Sequence, residues 1–145
     1  MDEVRQRMLA YMREHVTMTL ATARDGQPRA ATVFYANDGF DLYFISDPDS
    51  VHSQDLLANP RVFVTISQDY ADWQAIQGIQ LSGQAELPED ATRAGDVYAA
   101  KFPFVAGFPA AAITYWKIAA QWVRLVDNTI AFAHKDEIDL TQHDH

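Results

Sequence analysis

Residues 16–46 read VTMTLATARDGQPRAATVFYANDGFDLYFIS. Three short apolar runs, at 16–23, 30–36 and 41–46, mix bulky side chains with small or hydroxyl ones, as strands with one buried face do. RDGQP (24–28) and ANDGF (36–40) lie between them and supply turns, because glycine beside aspartate tolerates the backbone angles that tight reversals need. Three runs joined by two tight turns make an antiparallel meander.

On the N-terminal side, Val4, Met8, Tyr11, Met12 and His15 recur at three-to-four spacing, which predicts an amphipathic helix over residues 2–15. On the C-terminal side, VFVTIS (62–67) and IQGIQLSGQAEL (76–87) read as further strands. Gly78 and Gly83 fall inside the second of these, where glycine marks a bulge or a close approach of another backbone or ligand. Pro88 opens a helix with Glu89 and Asp90 in its first turn, carried on by Ala91, Ala94, Val97, Tyr98 and Phe102. KFPFVAGFP (101–109) is a stiff aromatic connection, and ITYWKIAAQWVRLVD (113–127) is a long strand followed by a short one at TIAFA (129–133). The predicted class is therefore mainly β with helices (α+β): a six- or seven-stranded antiparallel split β-barrel with peripheral helices. One domain spans residues 1–145, with a flexible tail at about 140–145.

Composition narrows the function. The formal charge of −9 and the absence of any Lys/Arg cluster argue against nucleic acid as a partner. No apolar run approaches the ~20 residues that span a bilayer, and the charged N-terminus lacks a signal-peptide core, so the expected location is the cytoplasm, with no membrane partner. The chain has no cysteine, which removes disulfides, thiolate metal sites and a cysteine nucleophile. No metal is expected: His15 and His134 are isolated, and His143, Asp144 and His145 sit in the tail. Ser82 and Thr65 show no accompanying Ser/His/Asp arrangement.

DSVHSQDLLANPRV (49–62) begins a helix whose first turn carries Ser50, His52 and Ser53. Free N–H groups and the positive dipole end make such a turn a seat for a phosphate. Ser50 followed by Ser53 is equally an ordinary N-cap. No lysine or arginine stands in the turn, and Asp47, Asp49 and Asp55 surround it. Arg61 opens the next strand, either as a solvated charge or facing a ligand. Trp73, Trp116 and Trp122, with Phe102, Phe104 and Phe108, serve a core, an interface or the wall of a planar cleft; Trp116 and Trp122, an even number apart on one strand, are expected on the same side.

The ordered set of motifs, with a strand ending in Phe-Ile-Ser, then Ser50-x-His52, Asn59-Pro60-Arg61-Val62 and GIQLSGQAEL, resembles the pyridoxamine 5'-phosphate oxidase-like, FMN-binding split-barrel superfamily. YAAKFPFVAGFP and VRLVDNTIAFAHK look most like its YhbP-type branch. The resemblance implies a homodimer with FMN in clefts between the subunits. It implies that backbone at Ala31, Thr32 and Val33 borders the flavin ring, that Ser46, Ser50 and His52 hold the phosphate, and that Gly78 lies near the flavin. His52 stands where many members carry lysine, and the loss of one phosphate cation costs about 1 to 3 kcal/mol, or roughly ten- to a hundredfold in affinity. The basic C-terminal substrate cluster of a true pyridoxamine phosphate oxidase is also missing. The expected function is thus an FMN-binding flavoprotein, an oxidoreductase for a small molecule, with no side chain assignable as acid or base. The rival is a non-catalytic binding protein on the same scaffold, taking haem, a deazaflavin, another planar ligand or none.

Overall fold

The computed structural model describes residues 2–141. In chain order the elements are α1 (Glu3–Glu14), β1 (Thr17–Arg24), β2 (Gln27–Phe34), β3 (Ala36–Asp38), β4 (Asp41–Ser46), α2 (Val51–Ala58), β5 (Arg61–Ile66), β6 (Gln77–Glu86), α3 (Ala91–Lys101), β7 (Thr114–Asp127) and β8 (Lys135–Asp139). All strand pairs are antiparallel, in the order β2-β1-β5-β6-β7-β4-β3, with β8 alongside β7. This is the half-barrel with helices that the sequence predicts. Among the described residues, no helix is long and apolar enough to cross a membrane.

The two turns form as expected, but the three runs do not make a meander: β2 pairs only with β1, and β4 pairs with β3 and β7. Asp25 and Gly26 both take positive φ (52° and 78°), so β1 and β2 are joined by a two-residue hairpin loop, and Gly39 (φ 60°) opens the loop between β3 and β4. The sequence ANDGF is thus partly a strand: Ala36, Asn37 and Asp38 pair with Tyr43, Leu42 and Asp41. Helix α1 buries Met8, Tyr11 and Met12 against the sheet, where they join Leu20, Tyr35, Phe44, Ile66, Leu81 and Ile118 in the main core. A second cluster of Ala36, Tyr98, Phe102 and Val105 lies under α3. Lys101, at the end of α3, ties the two regions by donating to the His15 carbonyl while its Nζ sits 4.2 Å from the Tyr35 ring centroid.

Two expected boundaries move, each for a local polar reason. Helix α3 starts at Ala91, because the Asp90 side chain accepts from Arg93 N–H and caps it, which leaves Pro88 and Glu89 in the preceding connection. TIAFA is a loop, since Asp127 turns the chain there: its Oδ1 accepts from Thr129 N–H and Oγ1 and from Gln77 Nε2, and its own N–H donates to the His134 carbonyl. The last strand is β8, which begins two residues after the end of that loop. Residues 142–145, including His143, Asp144 and His145, lie outside the described residues; Leu140 packs on the core and donates its N–H to the Gln121 carbonyl.

Strand β7 organises the sheet. Along one edge it pairs with β6; along the other its first half pairs with β4 and its second half with β8. A register shift between Ser82 and Gly83 sets Ser82 opposite Trp122 but Gly83 opposite Ala120, so Gln121 is an extra residue, a β-bulge. A bulge reverses the inward/outward alternation. Trp116 and Ile118 point inward before it, Val123 and Leu125 after it. Trp116 and Trp122 therefore face opposite sides of the sheet, contrary to the even-spacing expectation. Trp116 is in the core, and Trp122 lies on the outer face against Phe63, ring centroids 6.1 Å apart.

Gly83 permits this geometry, since a Cβ there would lie 2.4 Å from the Ala119 carbonyl oxygen and 3.0 Å from Ile118 Cγ2. Gly83→Ala is expected to destabilise the protein by about 2 kcal/mol through overpacking against backbone that has nowhere to move; an unchanged midpoint in thermal or urea unfolding would contradict that reading of the bulge.

Candidate functional site

Helix α2 starts immediately after β4, and its first turn folds back over the end of that strand. Ser50 is the N-cap, accepting from Ser53 N–H at 3.2 Å, so the capping reading holds. The same turn closes around Ser46, the last residue of β4. Ser46 Oγ lies 2.8 Å from Ser50 Oγ, 2.9 Å from His52 Nε2, 2.6 Å from Ser53 Oγ and 3.0 Å from the Asp47 carbonyl. One hydroxyl has a single proton and two lone pairs, so these four contacts cannot all be hydrogen bonds at once. The cluster is a compact set of exchangeable donors, at the positive end of a helix.

Its charge is less suited to an anion. Burial pulls His52 below the ordinary histidine value, and the weaker attraction of Asp55 does not restore it, so the imidazole is neutral at pH 7. Asp47 and Asp49 are exposed beside the turn. Arg29, the nearest candidate cation on β2, is engaged elsewhere.

That engagement is the second half of the site. Asp55, on the inner face of α2, is fully buried and accepts from Thr22 Oγ1 at 2.9 Å and Arg29 Nη1 at 2.8 Å, with Arg24 Nε 3.1 Å away. Burial alone pushes this carboxyl up; the bonds from Thr22 and Arg29 and the charges of Arg29 and Arg24 outweigh it and hold the group below the usual carboxylate range. One carboxylate thereby pins α2 to the β1–β2 hairpin. Two arginines share it, which leaves the group with one unit of positive charge in excess. Nothing in the sequence marked Asp55 for this role, since its partners are 26 to 33 residues away.

Of the residues singled out from sequence, Ser46, Ser50 and His52 are brought into direct contact. Ala31, Thr32 and Val33 lie on β2, an edge of the sheet, two to four residues beyond the Arg29 that bonds Asp55 of α2. Val33 packs on the core, whereas Thr32 and the adjoining Phe34 are exposed. Gly78 lies far from the cluster within one chain: it pairs with Val126 at one end of β7, and Ser46 pairs with Thr114 at the other. It lines a cleft of about 270 Å³ with Thr65, Ser67 and Val126.

Removing the buried carboxylate tests the frame of the site. Asp55→Ala is expected to cost about 3 kcal/mol, as loss of one member of a buried ion pair does. Because the folded-state carboxyl is held low, its contribution is present above the unfolded carboxylate value of about 3.9 and disappears as pH falls through the folded value. Urea unfolding of both proteins across that range should show the two stabilities converging at the acidic end.

Known proteins share this architecture. The chain is 25% identical over 129 residues to a UPF0306 protein of Pasteurella multocida, covering 86% of this chain and 85% of that one. A heme binding protein from Mycobacterium smegmatis superposes with a TM-score of 0.76 at 22% identity, over 90% of this chain and 56% of that chain. A FAD-binding protein from Mesorhizobium loti superposes with a TM-score of 0.70 at 20% identity, over 86% and 94%. At these identities the two structures establish a shared fold. The family description pyridoxamine 5'-phosphate oxidase matches residues 4–127, nearly the whole sheet, and the chain belongs to that family.

Proposed function

We propose that the protein is a cytoplasmic homodimer that binds FMN and supports oxidation or reduction of a small molecule. The observation that carries this reading is the convergence of Ser46, Ser50, Ser53 and His52 on one point at the N-terminus of α2. In this arrangement the hydroxyls and the imidazole donate to the phosphate. The Arg24/Arg29/Asp55 group anchors helix α2, and the β2 backbone from Ala31 to Val33 borders the flavin ring. FMN supplies the electron or hydride chemistry, and the chain binds, orients and excludes water. The separation of Ser46 and Gly78 at opposite ends of β7 supports a dimer in which the two residues, from different copies, border one ligand. Haem and FAD in proteins of this fold support a large planar ligand.

A second reading is a binding protein without redox turnover, taking haem or another planar ligand. It is favoured by the neutral His52 and by Asp47 and Asp49, which oppose a dianionic phosphate.

Titration with FMN, followed by quenching of flavin fluorescence, separates the two. Flavoprotein function predicts saturable binding that weakens as pH rises above the ordinary histidine value of about 6.5, because the bound phosphate favours the imidazolium that burial otherwise opposes. His52→Lys should tighten FMN binding at pH 8 by tenfold or more. Ser50→Ala should weaken it by about 1 kcal/mol while also lowering stability by a similar amount through the lost cap. Absence of FMN binding at every pH, with haem bound by the same preparation, would establish the second reading instead.

A further inference from the structure

The chain has three lysines, Lys101, Lys117 and Lys135. Two are in ordinary settings: Lys117 lies within 4.0 Å of the Asp41 and Glu86 carboxylates, and Lys135 is exposed on β8. Lys101 is not. It is the last residue of α3, and its ammonium reaches across to the end of α1, where it donates to the His15 carbonyl and lies 4.2 Å from the Tyr35 ring centroid. Among the described residues, no carboxylate comes within 4.0 Å of it. The ionisable groups around it are Arg13 and His15 of α1 and Tyr35. The His15 ring is occupied by the Tyr11 carbonyl and Gln68, and Tyr35, neutral and fully buried, donates to the Met12 carbonyl. This ammonium has lost water without gaining a counter-ion, and burial pulls it down to about 8. At pH 7 about one in ten such amines is unprotonated, against about one in a few thousand for an ordinary lysine.

Lys101 also lines a cleft of about 320 Å³ with Arg13, Ala36, Asn37, Val97 and Ala100. Two cations and no carboxylate line it, in a chain of charge −9. These residues lie on α1, α3 and β3. None belongs to the hydroxyl cluster, to the Ala31–Val33 segment or to the Gly78 cleft, so the site is independent of the flavin reading and off the face given above to the second copy.

We infer that Lys101 is a carbonyl-addition site whose amine condenses with a small aldehyde bearing a carboxylate, with Arg13 as the anion partner. Unprotonated Nζ adds to the aldehyde carbon, the carbonyl oxygen takes up a proton to give a carbinolamine, and loss of that hydroxyl as water leaves a C=N bond with no net oxidation. The surroundings suit the protonated imine. Its remaining N–H donates to the His15 carbonyl and its charge stays over the Tyr35 ring, so both contacts that hold the ammonium survive. An amide formed from an acyl donor would lose the charge, which favours an aldehyde. The Arg13 guanidinium matches a carboxylate by its planar fork.

Glyoxylate is the probe, with sodium cyanoborohydride to reduce the imine to a stable amine. The full-length protein is labelled at pH 7, acetaldehyde is the uncharged control, and peptide mass mapping gives the ratio of labelling at Lys101 to that at Lys135, which cancels the intrinsic reactivity of each reagent. With glyoxylate the ratio should exceed tenfold at pH 7 and fall towards one at pH 10, where ordinary lysines also lose their proton. Arg13→Gln should lower the glyoxylate ratio severalfold and leave the acetaldehyde ratio unchanged. A glyoxylate ratio near one at pH 7 would overturn the inference. So would a parent-like glyoxylate ratio in Arg13→Gln protein that circular dichroism shows to be folded. Neither readout involves FMN.

Discussion

The structure depends on the close approach of two backbones where β6 crosses β7. Gly83 lies against the Ala119 carbonyl, and no residue with a Cβ fits that gap without displacement. The extra residue at Gln121 bends β7 there and divides its outer edge between β4 and β8. Backbone groups freed by the bulge find partners nearby: Ala120 N–H donates to Asp41 Oδ1, and the Gln121 carbonyl accepts from Leu140 N–H. Every polar group at the discontinuity that these bonds reach is thus satisfied, as a buried backbone requires. One irregularity allows a single strand to pair with β4 and β8 in turn and to switch which of its side chains face the core.

A second constraint positions the hydroxyl cluster. Asp55 is a fully buried charge, tolerable only because Thr22, Arg24 and Arg29 surround it. It fixes α2 against the β1–β2 hairpin and so sets the distance between the Ser46 cluster and the Ala31–Val33 strand. The same pairing removes Arg29 as a free cation, which leaves hydroxyls, an imidazole and a helix end as the site's polar groups. Burial lowers the basicity of His52, and Asp47 and Asp49 add negative charge beside the turn, so the charge of the cluster depends on protonation of the imidazole.

The sequence by itself determined what local chemistry decides. Asp-Gly pairs need positive φ, so the two hairpin turns were legible; three-to-four spacing marked α1; Ser50 announced the start of α2; and the order of motifs identified the family. The contact of Ser46 with Ser50 and His52 was also accessible, because these residues are separated by only a few positions and a tight turn.

Only the tertiary structure decided what depends on partners distant in the chain. Even spacing placed Trp116 and Trp122 on one face, but a bulge enforced by Gly83 reversed the alternation between them. TIAFA has the composition of a strand, yet Asp127 binds Gln77, fifty positions away, and turns the chain into a loop. Asp55 was one of three carboxylates around the helix start until folding brought two arginines of a different hairpin onto it alone. Arg61 was ambiguous for the same reason: whether an arginine is paired or free is settled by which carboxylates folding brings within reach, and the sequence records the charges without their distances.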